Sequence, residues 1–321
     1  MSKLRVAPVF AQLTLVAAVA LQSGTMCFAS GADDPAQHKL TGVSKSSRPI
    51  SRAVFAGFDK DAYPGDDLIR ALSKSFAFTG YWLNNPPGMM SNPWMGKRSL
   101  LRARGLGFTL LFNGRLYADL KAAAAQGEDS AELGRSDAEA AIVAARREGF
   151  PSGAVIFLDQ EEGGHLLPEQ SAYLFAWIDA LQRWAPSVRS VSKSKSAQPI
   201  YRAGVYCSGI AASASDPATT AADILQHYGG QRAPVMWVAN DQCPPAPGCV
   251  RETKLPLPST SGTPVATVWQ YAQSPRRAQL TAGCAATYST DNGCYAPGLP
   301  HSPDTAIDLD SATSPDPSHG R

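Results

Sequence analysis

The chain has 321 residues, 44% of them hydrophobic and 17% charged, with 29 basic side chains against 27 acidic ones. This is a globular balance with room for one large domain or two small ones. No apolar run could span a bilayer, and nothing resembles the basic footprint of a nucleic-acid binder.

The N-terminus reads as a secretory signal over residues 1–29. Lys3 and Arg5 form its basic region, Leu13 to Leu21 its apolar region, and Cys27-Phe28-Ala29 a small-residue cleavage site, with the cut expected near Ala29. The competing reading is an uncleaved membrane anchor, for which the apolar region is short. A lipoprotein is disfavoured because Gly24-Thr25-Met26-Cys27 lacks the leucine expected before a lipidated cysteine. Cleavage removes Lys3 and Arg5 and no acid, leaving 27 basic groups against 27 acidic ones. Residues 30–50 are polar and aperiodic and are expected to form a disordered tether.

Strand-like runs follow at Ala53–Asp59, Ala77–Leu83, Gly107–Gly114, Ala154–Asp159, Arg202–Ser208, Val235–Ala239, Ala266–Tyr271 and Ala306–Leu309. Helical stretches lie between most of them. Ser136 with Glu139 forms a capping box, and Gly149 and Pro151 stop that helix. Pro168 to Trp184 carries Leu174, Trp177, Ile178, Leu181 and Trp184 on one stripe, the mark of a core-facing helix. Asp216 and Pro217 open a further helix that stops near Gly229 and Gly230. Arg189, Lys193 and Lys195 sit in a Ser-rich stretch that reads as a solvated loop. Eight strands alternating with helices over about 260 residues fit a single (β/α)8 TIM-type barrel over 51–312. A doubly wound open sheet is the alternative, weakened because no G-x-G-x-x-G follows the first strand. Residues 313–321 are Ser/Pro-rich and expected to be disordered.

The fourth strand run, Val155-Ile156-Phe157-Leu158-Asp159-Gln160-Glu161, ends in acids. Residues two apart on a strand share a face, so Asp159 and Glu161 leave one face together. In a barrel, strand C-termini meet at one mouth, and Asp59 and Asp308 then join them there. Crowded carboxylates push their pKa values apart, so one can stay protonated while another stays ionised, the division of labour that glycosidic cleavage needs. Glu162 should point the opposite way, where helix capping or exposure suits it, and His165 reads as a loop-surface histidine. Tyr81, Tyr206, Trp237, Trp269 and Tyr271 fall near strand ends and are candidate sugar platforms, with core packing as the competing role for each. Gln270 is placed with them as a substrate contact.

Beyond the signal, five cysteines remain. Cys243 with Cys249 and Cys284 with Cys294 are close in sequence, and these two bridges are expected, leaving Cys207 as a small buried hydrophobe. Zinc is disfavoured by the spacings and by only five histidines. No G-x-S-x-G, H-E-x-x-H or P-loop is present, and no cofactor is implied.

Gly57-Phe58-Asp59, Phe157-Leu158-Asp159-Gln160-Glu161, Gly204-Val205-Tyr206-Cys207-Ser208, Trp237-Val238-Ala239, Trp269-Gln270-Tyr271 and Asp308-Leu309-Asp310 occur in the order found in family-25 glycoside hydrolases, the lysozyme-like N-acetylmuramidases. The chain resembles still more closely their secreted glycoside-hydrolase-like relatives, the domain of unknown function 1906. The resemblance covers about residues 53–312. It implies a muramidase-type barrel acting on peptidoglycan or a related N-acetylated glycan, with Glu161 as general acid, Asp159 orienting or stabilising the reacting acetamido group or cation, and Asp59 and Asp308 as supporting acids. It differs in carrying Asp310 where the muramidases usually have Asn. A non-catalytic glycan-binding or envelope-associated barrel is the alternative function.

Overall fold

The structure, a computed structural model, describes residues 53–183 and 201–321 apart from 214, 230–231, 250–253, 285–287 and 289–292. The expected signal and tether, Trp184 and the Ser-rich loop lie outside the described residues. Eight strands close into a barrel in sequence order: β1 (Phe55–Asp59), β2 (Phe78–Trp82), β3 (Gly107–Asn113), β4 (Val155–Gln160), β5 (Arg202–Ser208), β6 (Val235–Ala239), β7 (Val268–Ala272) and β8 (Asp308–Ala312). Helices α1 (Asp66–Leu72), α2 (Arg98–Ala103), α3 (Tyr117–Ala125), α4 (Ser130–Arg147), α5 (Pro168–Arg183) and α6 (Thr220–Tyr228) punctuate the first six strands.

The α/β barrel read from the sequence is present, with one strand reversed. β1 through β7 pair in parallel, whereas β8 runs antiparallel to both β1 and β7. The eighth strand also starts two residues later than expected, at Asp308. Its N-terminal end therefore meets the C-terminal ends of the other seven, with Asp59 opposite Asp308 and Gln270 opposite Asp310.

Alternation along the strands fills the interior with large rings against glycines. A Cβ on Gly57 would overlap the Phe78 ring, and one on Gly204 would overlap Phe157. Phe157 in turn meets Trp237 edge to face, with ring centroids 5.6 Å apart. Outside the barrel, α5 buries Leu174, Trp177, Ile178 and Leu181 as its period dictates. α4 begins six residues before the expected capping box, because the Asp129 carboxylate accepts the Ala131 N–H and starts the helix there. α6 likewise starts at Thr220 under a Thr219 cap and ends at Gly229 in the left-handed conformation. Asp216 instead accepts the Ala218 N–H in the preceding turn.

Two expectations are overturned. Residues 313–321 are ordered, and they dock beneath β3 and β4. Asp316 Oδ1 accepts the Phe108 N–H at 2.9 Å and Ser318 Oγ accepts the Leu110 N–H at 2.8 Å. The Ser318 backbone donates to Phe108 O and accepts from Val155 N, both at 2.8 Å. A Ser/Pro-rich composition argues for disorder only when the segment has nothing to satisfy, and here it supplies hydrogen bonds to strand ends. The disulfides are Cys243–Cys284 and Cys249–Cys294, not the local pairs expected. The two cysteine loops lie side by side, with Cys243 N–H donating to Leu280 O at 3.2 Å. Loops of 41 and 45 residues remove more unfolded-state freedom than a six-residue loop would, about 4 rather than about 2 kcal/mol per bridge on the chain-entropy model. Cys207 is the free, buried cysteine among the described residues.

Ser318 is 0% exposed, so Ser318→Ala leaves the buried Leu110 N–H without its acceptor. The expected loss is about 1–3 kcal/mol, read as a lower urea midpoint at unchanged slope. An unchanged midpoint would show that the docked segment adds nothing to the barrel.

Candidate active site

Three strand ends carry acids two residues apart: Asp59 and Asp61 at the end of β1, Asp159 and Glu161 at the end of β4, Asp308 and Asp310 at the start of β8. In each pair both members take the same face of the chain, and the barrel turns all three pairs toward one mouth. Asp59, Asp61, Asp159, Glu161 and Asp308 line a cleft of about 180 Å3 together with Trp82, Leu111, Tyr206, Trp237, Gln270, Gln273, Ser274 and Pro275. Asp310 lies below it, 0% exposed.

Gln270 is the hub of the floor. Its carbonyl oxygen accepts from Tyr206 Oη at 2.8 Å and from Gln273 Nε2 at 2.6 Å. That fixes the amide so that Nε2 donates to Asp59 Oδ2 at 2.9 Å. Asp310 Oδ1 accepts from Trp237 Nε1 at 3.0 Å, and no N–H or hydroxyl reaches its Oδ2. Asp308 Oδ1 accepts the Ser274 N–H at 2.5 Å.

Asp159 is 3% exposed, and no N–H or hydroxyl reaches either of its oxygens. Its hydrogen-bonding neighbour is another acid, Glu161. Two carboxyl groups can bond only by sharing a proton. Burial, then the charge and hydrogen bond of Glu161, hold the Asp159 pKa well above the usual carboxylate range. Glu161 stands at the rim, open to solvent on one side and walled by protein elsewhere, and desolvation raises it too. Its bond with Asp159 and the Arg277 guanidinium oppose that rise. Glu161 thus favours the neutral form of Asp159, while Arg277 favours the charged form of Glu161. Arg277 is held by the buried carboxylate of Asp241, which accepts from both Nε and a terminal nitrogen.

The same logic repeats at Asp59 and Asp310. Burial raises Asp310 well above its ordinary value. Burial raises Asp59 to about 6, against hydrogen bonds from Gln270 and Asp310 that lower it. Asp61, exposed at the rim, is raised first by desolvation and then by Asp59 and Glu161. Among the described residues no group of three or more His, Cys, Asp or Glu is arranged to hold a metal ion.

The cleft thus gathers Asp59, Asp159, Glu161, Asp308, Tyr206, Trp237 and Gln270 of the residues expected at a site. Trp237 is 0% exposed and forms floor rather than wall. Three aromatics fall elsewhere, for a reason of strand parity. Trp269 and Tyr271 flank the inward Gln270 and so point outward, and Trp269 Nε1 donates to Asn240 O. Tyr81 also points outward, its hydroxyl on Glu148 Oε2 at 2.6 Å and its ring against Trp94, Phe108 and Phe150. Its neighbour Trp82 takes the cleft position. Glu162 turns away from the cleft and accepts the Tyr117 N–H at the start of α3 and the Gln170 amide. His165 is exposed and meets Asp216 and Asp223. Asp61, Trp82, Gln273 and Arg277 were not singled out from the sequence, and Asp310 was marked only as a departure from the muramidases. The two-residue spacing that marks Asp159 and Glu161 also marks Asp61 and Asp310, and inward parity with Gly80 marks Trp82.

Residues 86–279 match the family described as Rv2525c-like, glycoside hydrolase-like domain. The chain belongs to that family. It is the glycoside-hydrolase-like class that the strand-end motifs resemble, and the matched span holds Asp159, Glu161, Tyr206, Trp237 and Gln270, while Asp59 and Asp308 lie outside it. Among solved structures, an uncharacterized protein of B. stearothermophilus shares the fold at TM-score 0.50 and 18% identity, over 80% of this chain and 95% of that one. The Tat-secreted protein Rv2525c of Mycobacterium tuberculosis aligns at TM-score 0.44 and 13% identity, over 83% and 97% of the two chains. The bacterial lysozyme of Streptomyces coelicolor aligns at 0.42 and 12%, over 81% and 92%. No curated protein sequence matches the chain.

Folding raises the Asp59 pKa from 3.8 to about 6. Between those values the folded state binds more protons than the unfolded one, so the contribution of Asp59 to stability falls as pH rises through that window. Asp59→Asn keeps the acceptor and removes the charge. The variant is expected to be more stable than wild type at pH 8, by on the order of 1–3 kcal/mol, with the gain vanishing toward pH 4. Urea midpoints at both pH values measure this, and a pH-independent gain would contradict it.

Proposed function

We propose that this is an exported glycoside hydrolase that cleaves β-1,4 bonds of peptidoglycan or a related N-acetylated glycan. The observation that supports the reading best is the Asp159–Glu161 pair. A buried acid that no protein donor reaches is costly, and this one shares its proton with a second acid that substrate can touch. Family membership supports glycoside-hydrolase-like chemistry. Export is supported by two long-range disulfides, which persist in oxidising compartments, and by the signal read at residues 1–29. Among the described residues no helix is long and apolar enough to cross a membrane.

The mechanism follows from where the proton rests. Arg277 and Asp159 both favour charged Glu161, so the resting cleft has its proton on the inner acid. An acetamido N–H of the substrate donating to Asp159 favours charged Asp159 and sends the proton to Glu161. Glu161 then protonates the glycosidic oxygen as the bond to the anomeric carbon breaks. Asp159, now ionised, stabilises the acetamide or the cation that forms. Water adds at the anomeric carbon and returns its proton to Glu161. Asp59 and Asp308 act as supporting acids at the same mouth. Tyr206 and Gln270 position the floor.

The resting bias of the proton away from Glu161 also favours a second reading, a glycan-binding barrel without turnover. Purified peptidoglycan separates the two. Wild type is expected to release reducing ends, with release falling about 100-fold or more in Glu161→Gln and declining at alkaline pH as the shared proton is lost. Binding without release supports the second reading, and equal release by the variant would remove Glu161 from the reaction.

A further inference from the structure

A second cavity of about 460 Å3 adjoins the acidic cleft and shares Ser274 and Pro275 with it. Its remaining walls are Lys60, Tyr295, His301 and the turn at Ser302, Pro303 and Ala306. The two spaces are built from the same segments. Lys60 follows Asp59 in the chain, and Ala306 and Ile307 lead into Asp308. Ser274 ties them together: its N–H donates to Asp308, its hydroxyl lies 3.0 Å from both Cys294 O and Ile307 O and can donate to either, and its Oγ accepts the Cys294 N–H at 2.6 Å.

Within this second cavity the Tyr295 and His301 rings stack, centroids 4.1 Å apart and planes within 10°. His301 is solvent-exposed. Tyr295 is held by its bridge to Ala306 and by the neighbouring Cys249–Cys294 disulfide. Lys60 Nζ donates to Pro303 O at 3.0 Å and Ala306 O at 2.8 Å. An ammonium has three N–H groups, so one remains for a ligand oxygen. Burial lowers the Lys60 pKa, and the charges of Asp308, Asp304 and Asp61 oppose that drop; a partly desolvated amine ringed by acids suits a hydroxyl or carbonyl oxygen better than an anion. A flat ring surface beside a single donor matches a pyranose, with its apolar face and its hydroxyl rim.

Size points the same way. The acidic cleft, at about 180 Å3, is below the roughly 300–1,000 Å3 of ordinary ligand pockets, and a glycosidic bond needs a sugar on each side. We infer that the Tyr295–His301 cavity is a sugar subsite, holding a pyranose of the same glycan chain whose scissile bond lies over Asp159 and Glu161. The inference rests on the glycan reading above.

Titration calorimetry of full-length Glu161→Gln with N-acetylglucosamine oligomers of increasing length tests it. Affinity is expected to rise with length. Adding Tyr295→Ala, and separately the exposed-site change His301→Ala, is expected to weaken the longer oligomers about tenfold and flatten that rise. A rise with length that survives both changes overturns the subsite while leaving the glycan reading intact. No binding at any length overturns the glycan reading itself, and the subsite with it.

Discussion

A carboxyl group removed from water must find a donor, a cation or a proton, and the mouth of this barrel supplies mainly protons. Asp159 has no N–H or hydroxyl on either oxygen, and Asp310 lacks one on Oδ2. Each leans on a second acid, Glu161 or Asp59. One amide, Gln270, is the fixed point, because Tyr206 and Gln273 set its orientation and Asp59 reads it. Arg277 biases the outer pair from the rim, held in place by buried Asp241. The result is a set of acids whose pKa values burial and mutual charge push upward, which costs stability and marks the mouth as a place for acid/base chemistry.

That arrangement depends on the direction of one strand. With seven parallel strands, acids at C-terminal ends converge on their own. Asp308 and Asp310 begin β8 rather than end it, and they reach the same mouth because β8 is antiparallel to both neighbours. The long connection between β7 and β8 carries the partners of both disulfides and the walls of the second cavity. Covalent cross-links thus hold the loops whose backbone receives Asp308.

Much of this was legible in the sequence. The strand runs from 202 to 208 and 235 to 239 are found with the limits read from their apolar pattern, and the i, i+2 spacing of Asp159 and Glu161 does bring both into one cleft. What failed had physical reasons. Proximity to a strand end was taken as nearness to the site for Tyr81, Trp269 and Tyr271, yet parity sends them outward and gives the inward positions to Trp82 and Gln270. Cysteines close in sequence were paired with each other, although the loop carrying Cys243 and Cys249 lies beside the β7–β8 connection and bridges to it at both positions. Asp310 was noted only as a departure from the muramidases, although it bonds Trp237 and backs Asp59. Strand direction leaves no mark in composition, so the reversal of β8 was invisible.

The closing strand and the segment behind it follow the other seven strands in sequence. β8 seals the exposed edges of β1 and β7, and residues 314–321 then lock the entry ends of β3 and β4 from below. Until those residues are made, a growing polypeptide has seven strands with two open edges and no route to a closed ring. Edge strands left open are templates for pairing with other chains. Closure of the ring therefore waits on the pairing of β1 with β8, the two strands farthest apart in sequence, a non-local contact of the kind whose loop-closure cost must be met before it rewards the chain.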